Sequence, residues 1–292
     1  MDDLRQEFSL SPAGEDRMIR LYPQLETAMT LTNGRPNMDY LKTRLQLRKD
    51  STHDDLRKLI LFHPVLLDYS IDDNMEPKLA YLEKRLRLSP EELRKMILAH
   101  PVLFDYSIDD NMEPKLAYLQ ERLSLKQKEL RAMVLKFPPL LSYNIVDNLG
   151  PKMEYLGTRF SLSPAELRAM LLRRPTLVGS DIVNNLEPTI SFYESLLGAS
   201  ALPLLAEHTT LLLYSLANRL IPRSKRMALL GLDFEEPTVS RTSNMTNSKF
   251  NDFLEERAKK SLTEEADFAA WRLKDAALQE VKWQVSDLTS GV

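Results

Sequence analysis

The stretch HPVLFDYSIDDNMEPKLAYL, residues 100–119, repeats residues 63–82 with one change, Phe104 in place of Leu67, and the copies lie 37 positions apart. A chain that spends the same twenty residues twice at a fixed offset is built from modules. The 37-residue step continues through Pro64, Pro101, Pro138 and Pro175, and through Asn74, Asn111, Asn148 and Asn185. It also links Pro77, Pro114, Pro151 and Pro188, the leucines Leu56, Leu93, Leu130 and Leu167, and the aromatics Tyr81, Tyr118, Tyr155 and Phe192. An earlier copy carries Pro23, Asn33, Pro36 and Tyr40 at an offset of 41, its four extra residues falling in the polar stretch QLRKDSTHDD. A weaker sixth copy follows at a step of 34, where Ser215, Leu220 and Pro222 match Asp181, Leu186 and Pro188, and Thr209 replaces the first proline.

Each unit reads as two helices. SPEELRKMILAH opens with Ser89 as N-cap, Pro90 in the first helical position and Glu92 as the capping-box partner. Leu93, Met96 and Ile97 then mark one apolar face, and Pro101 ends the helix by pushing its predecessor out of the α region. The second helix starts near YSIDDN, where Ser107 and Asp110 are placed for another capping box. It runs through Met112, Leu116, Leu119 and Leu123, with Pro114 bending it or delaying its start. Such a pair buries its apolar faces only against neighbouring pairs. The expected fold is therefore all-α, an α-solenoid of about six two-helix repeats of 34–41 residues, forming a superhelix over residues 9–232. Residues 233–250 are rich in Ser, Thr and Asn and read as a linker or long loop. Residues 251–288 read as a C-terminal helical tail whose Phe268, Trp271 and Leu278 share a side suited to capping the array.

Several function classes are excluded early. The chain has no cysteine, hence no disulfide framework, cysteine-ligated zinc or thiol nucleophile. No P-loop, EF-hand or dinucleotide fingerprint occurs. No apolar run reaches the length of a membrane span, and MDDLRQEFSLSP reads as neither a signal peptide nor an organellar presequence. His63 and His100 stand one repeat apart, too far to share a metal. The pairs Asp72–Asp73 and Asp109–Asp110 sit at helix N-termini, where the macrodipole favours acids. No catalytic residue, cofactor or metal site is expected.

The pattern P-x-L-L-x-x-S-x-x-x-N-(L/M)-x-P-K-x-x-Y-L followed by S-P-x-E-L-R, seen in HPVLLDYSIDDNMEPKLAYL and FPPLLSYNIVDNLGPKMEYL, resembles the mitochondrial transcription termination factor (mTERF) family. RPTLVGSDIVNNLEPTISFY is similar, and LLLYSLANRLIPRSKRMALLGL resembles the family's terminal repeat. The resemblance implies a left-handed superhelical solenoid whose basic concave groove binds nucleic acid in mitochondria or plastids. It also implies roles in transcription termination, transcription regulation or RNA maturation, with no enzyme activity. Double-stranded DNA or structured RNA is the implied partner, beside organellar expression proteins, for a monomer that engages no membrane.

Charge bears on that implication. The net charge is only −3, yet residues 156–232 hold 8 Lys/Arg against 5 Asp/Glu. Arg44, Arg85, Arg122 and Arg159 form one column on the second helices, Arg57, Arg94, Arg131 and Arg168 another on the first, and Lys78, Lys115 and Lys152 a third. Stacked helices 8–10 Å apart turn a column into a ladder that a phosphate backbone could follow. The structural alternative is that repetition copies stabilising residues as faithfully as binding ones. The candidate nucleic-acid contacts are Arg44, Arg85, Arg122, Arg159, Arg173 and Arg174, with the terminal cluster Arg219, Arg223, Lys225 and Arg226. Arg226 stands where other units carry Tyr or Phe, so it is expected to face solvent, a partner or the linker. The competing function is a protein-binding scaffold of the same fold, which the near-neutral array and the acidic tail favour.

Overall fold

The computed structural model describes residues 11–23, 34–49, 54–232, 238–262 and 265–281. Residues 1–10, Asn33, the part of the inserted loop at 50–53, the first linker residues 233–237 and the tail beyond 281 lie outside the described residues. Two units divide between Asp147 and Asn148. The described residues are helical, with no strand beyond an isolated bridge between Lys49 and Asp54.

Unit 1 holds α1 (Pro12–Leu21), α2 (Gly34–Arg44), α3 (Asp55–Phe62), α4 (Glu76–Leu86), α5 (Pro90–Ala99), α6 (Glu113–Arg122) and α7 (Gln127–Lys136). Unit 2 holds α8 (Gly150–Arg159), α9 (Pro164–Arg173), α10 (Glu187–Leu197), α11 (Ala201–Glu207), α12 (Ile221–Ala228), α13 (Thr238–Asn244), α14 (Asn247–Ser261) and α15 (Glu265–Glu280). Inside unit 1, α3 packs on α5, and α4 on both α5 and α7. Inside unit 2, α8 packs on α9, α10 on α11, and α12 on α15. This repeated pairing is an α-solenoid arrangement, and Leu56, Leu93, Leu130 and Leu167 are all buried.

Local chemistry explains the helix ends. Ser89 Oγ accepts from Glu92 N while Glu92 Oε2 accepts from Ser89 N at 2.8 Å, and Ser163 with Glu166 does the same. Ser89→Ala is accordingly expected to lower stability by about 1 kcal/mol in urea unfolding. Ser107 Oγ accepts from Asp110 N, but the Asp110 carboxylate takes the Ser107 hydroxyl rather than its backbone N–H, so only half of the expected box forms. The proline question resolves through a π turn at Ile108–Met112. There Met112 N–H bonds Ser107 O and Glu113 N–H bonds Ile108 O, each five residues back. The α-helix proper starts at Glu113, so the ring of Pro114 lies in its first turn, where a backbone N–H is not required. The same turn precedes α4 and α10.

A second device escapes pattern counting. Gln46, Arg87, Ser124 and Ser161 all have φ near +50° just after a second helix, and Gly198 stands next in that register. Each reverses the chain toward the following helix in the left-handed region, which glycine takes without Cβ crowding.

Two expectations need correcting. Much of the segment read as linker is helical: α13 and the start of α14 cover most of 238–250. Thr246 caps α14 through Lys249 N, and Phe250 and Leu254 are buried, so the Ser/Thr/Asn content marks caps rather than an open loop. Also, Ile182–Glu207 has the length and mean hydropathy, 1.2, of a membrane span. Gly198 (φ 56°, ψ −130°) breaks that stretch into α10 and α11, and Ile190, Phe192, Tyr193 and Leu205 are buried in the protein.

Candidate functional site

The second-helix arginines are mostly fasteners. Arg44 Nε and Nη2 donate to Glu76 Oε2 and Glu83 Oε2, both at 2.8 Å, and Tyr40 OH donates to the same Glu76. Arg159 repeats this in unit 2, with Glu194 Oε2 at 2.6 Å from Nη2, Glu187 Oε1 at 3.1 Å, and Tyr155 donating to Glu187. The pairing drives both partners toward charge: hydrogen bonds to the guanidinium hold Glu76 below the ordinary carboxylate range, and Arg44 is raised. The aromatic column is thus more than apolar filling, because Tyr40, Tyr81 and Tyr155 deliver their hydroxyls to the next repeat's glutamate. Burial is the main cause that raises these phenols.

The other columns also turn inward. Lys78 and Lys115 donate to Asn74 and Asn111 one turn back and to the backbone oxygens of Phe104 and Leu141, and burial lowers both lysines. Arg94 is buried with Nη1 on Gln46 O at 3.2 Å, and Arg131 pairs with Glu92. A column of cations in the sequence is therefore, at these positions, a column of inter-repeat bonds.

The terminal cluster is corrected most. Arg223 is 3% exposed and Arg226 7% exposed, so neither can reach a phosphate backbone in this arrangement. Arg226 Nε and Nη2 form a forked pair with Asp275 of α15 at 2.6 and 2.8 Å. Arg219 Nε donates to Ser243 O at 2.9 Å, and Arg223 donates to the carbonyls of Thr242, Ser243 and Met245. These are the orphan carbonyls at the end of α13, which need donors from outside the helix. Phe250 lies under Arg223 and Arg226, with guanidinium carbons 4.7 and 5.3 Å from its ring centre. Lys225 alone of the four remains partly exposed without a partner among the described residues. Of the pair one unit earlier, Arg173 is exposed and donates to Ala206 O, and Arg174 to Thr210 Oγ1.

What stays open lies around Arg85 in unit 1. Arg44 and Arg159 each hold two carboxylates, whereas Arg85 holds one: Nε donates to Glu113 Oε2 at 2.7 Å, and Nη2 meets the amide of Gln120 at 3.1 Å. In the register of those acceptors, the next positions are Gly150 and Gly157. Arg122 is exposed, with no hydrogen bond or ion pair among the described residues. Lys84 and Arg87, at the end of α4, are likewise exposed and unpaired among the described residues. Arg85 lies on the wall of two adjoining shallow hollows, one lined by Tyr81, Lys84, Arg87 and Gln127 and the other by Gln120, Glu121 and Ser124. The balanced charge of residues 51–155, 15 Lys/Arg against 17 Asp/Glu, concealed this edge because most of its acids are consumed in pairing or helix capping. The replacement of Glu by Gln120, Gly150 and Gly157 in the repeat register is the signal that could have exposed it.

Comparison with known families gives one match: the mTERF family model covers residues 15–251. The match passes residue 232, takes in α13 and ends in the first turns of α14. Among curated proteins, none matches the chain.

Proposed function

The chain belongs to the mTERF family, and from that premise we propose that it is a non-enzymatic nucleic-acid-binding protein of organellar gene expression, acting on DNA or structured RNA in a mitochondrion or plastid. The assignment of an activity class rests on family membership, since a helical-repeat fold alone serves many functions. The observation that supports a binding edge is the loss of acidic partners around Arg85. Lys84, Arg87 and Arg122, with the half-compensated Arg85, leave positive charge on the C-terminal turns of α4 and α6. Point charges spaced by a helix-to-helix repeat suit phosphates and carry no base readout, so this edge provides affinity and register rather than sequence choice. In unit 2, Arg173 and Arg174 are exposed and Lys225 is partly exposed, and these are the candidate cations there. Regulation of transcription, including termination, is the role this binding serves.

The test is a salt titration of the triple variant Lys84→Ala, Arg87→Ala, Arg122→Ala beside the wild type on duplex DNA and on structured RNA. Binding should weaken on all sequences, and the slope of log K against log salt should flatten by about 0.9 for each lost duplex phosphate contact. Melting should change by less than about 0.5 kcal/mol in stability, because none of the three is buried or paired. An unchanged slope would remove this edge as the binding surface. A weak and shallow wild-type response on both nucleic acids would instead favour a protein scaffold.

A further inference from the structure

Arg219, Arg223 and Arg226 do more than tie unit 2 to its last helices, because all three also line one cavity of about 240 Å³. Its other walls include Phe250, Asn251 and Gln279, and among the described residues no carboxylate lines it. Asp275 neutralises Arg226 through the forked pair. Arg219 and Arg223 meet only neutral acceptors, the carbonyls of Thr242, Ser243 and Met245 and the amide oxygen of Asn247. Two guanidinium charges thus face a cavity without a counter-ion among the described residues, one of them on a side chain that is 3% exposed. Burial, with the like charges of Arg219 and Arg226, brings Arg223 down to about 10, which is the mark of a cation short of negative charge. The Nη1 groups of Arg219 and Arg226 have no hydrogen-bond partner among the described residues, so donors remain for a ligand. The N-terminal turns of α14, a fifteen-residue helix, border the same space through Asn247, Phe250 and Asn251 and add the positive end of its dipole.

We propose that this cavity is an anion site that takes a single phosphate group, as a monoester or as inorganic phosphate. The volume is below the ~300–1,000 Å³ of drug-sized pockets, which suits a small anion rather than a whole cofactor. The free Nη1 groups of Arg219 and Arg226 can each donate a charge-assisted hydrogen bond to a phosphate oxygen. An internal phosphodiester of a duplex is carried on a rod too wide for this space, whereas a strand's terminal phosphate or a free phosphate can enter. The site shares no residue with the edge around Arg85 and stands whether or not that edge binds nucleic acid.

The experiment uses the full chain in thermal melts, with sodium phosphate against sodium chloride at equal ionic strength. Saturating phosphate should raise the melting temperature by about 3–6 °C over chloride. Asn251 is exposed and lines the cavity, so Asn251→Asp places a carboxylate where the ligand charge would lie without removing any arginine contact. That variant should melt higher than wild type in chloride and lose the phosphate response, whereas Asn251→Lys should keep or enlarge it. Phosphate acting no differently from chloride, or acting equally on Asn251→Asp, would overturn the site. A single-stranded oligonucleotide with a 5′-phosphate, compared with its 5′-hydroxyl twin, separates the sources. Tighter binding of the phosphorylated strand by about tenfold, abolished in Asn251→Asp, assigns the site to a strand end, and equal binding alongside the phosphate response assigns it to free phosphate.

Discussion

Replacing Asp275 by alanine is expected to destabilise unit 2 by about 3–5 kcal/mol. The carboxylate answers Arg226 in a forked pair whose side chains are 9% and 8% exposed, and removing it strands a guanidinium in the interior between α12, α15 and the ring of Phe250. Arg226 occupies the register position held by Tyr155 and Phe192 in preceding units, so the position was built for an aromatic side chain. The double variant Arg226→Phe, Asp275→Leu should therefore recover most of the loss, because removing both charges also removes their desolvation cost. Urea unfolding of the two single variants and the double variant completes the cycle. A loss below about 1 kcal/mol for Asp275→Ala would place the pair in water and undo the docking of α15 described above.

Leu93→Asp should have a comparable or larger effect, about 4 kcal/mol or more. Leu93 is 1% exposed on α5, which packs on α3 and α4, and it lies in the buried leucine column with Leu56, Leu130 and Leu167. An aspartate there places a carboxylate at a buried position, so it unfolds the joint or protonates at a cost of the same order. Leu273→Asp is the control: Leu273 is 75% exposed on α15, and its change should stay within about 0.5 kcal/mol. Circular dichroism melts of both variants suffice. Similar curves for the two would mean that the assignment of the buried face is wrong.

The terminal cluster shows where sequence reasoning reached its limit. Arg226 stood out correctly as a break in the pattern, since a charge had entered a position otherwise held by Tyr or Phe. The cluster's chemistry was misread because the partners lie far along the chain: Ser243 is 24 residues from Arg219, and Asp275 is 49 from Arg226. Nothing in the local pattern of residues 238–250 announces that its carbonyls will be capped by Arg219 and by Arg223 of α12. The same holds for Arg44 and Arg159, whose glutamates sit 28 to 39 residues downstream in the next repeat. Those glutamates were visible as residues but not as partners.

The sequence by itself determined the period, the helix pairs, the buried leucine column and the main helix starts, including the Ser89 capping box. Each is decided within about four residues, by hydrogen bonds and side-chain contacts a helix makes with itself, and repetition multiplied the signal. Only the tertiary structure decided which cations are spent and which are free. Whether an arginine meets a carboxylate, a carbonyl or solvent depends on the next repeat's side chains arriving within about 3 Å, a distance that register alone does not fix. One column therefore holds fasteners at Arg44 and Arg159, a half-compensated Arg85 and an exposed Arg122: its acceptors change from glutamate to glutamine or glycine while the arginine stays constant.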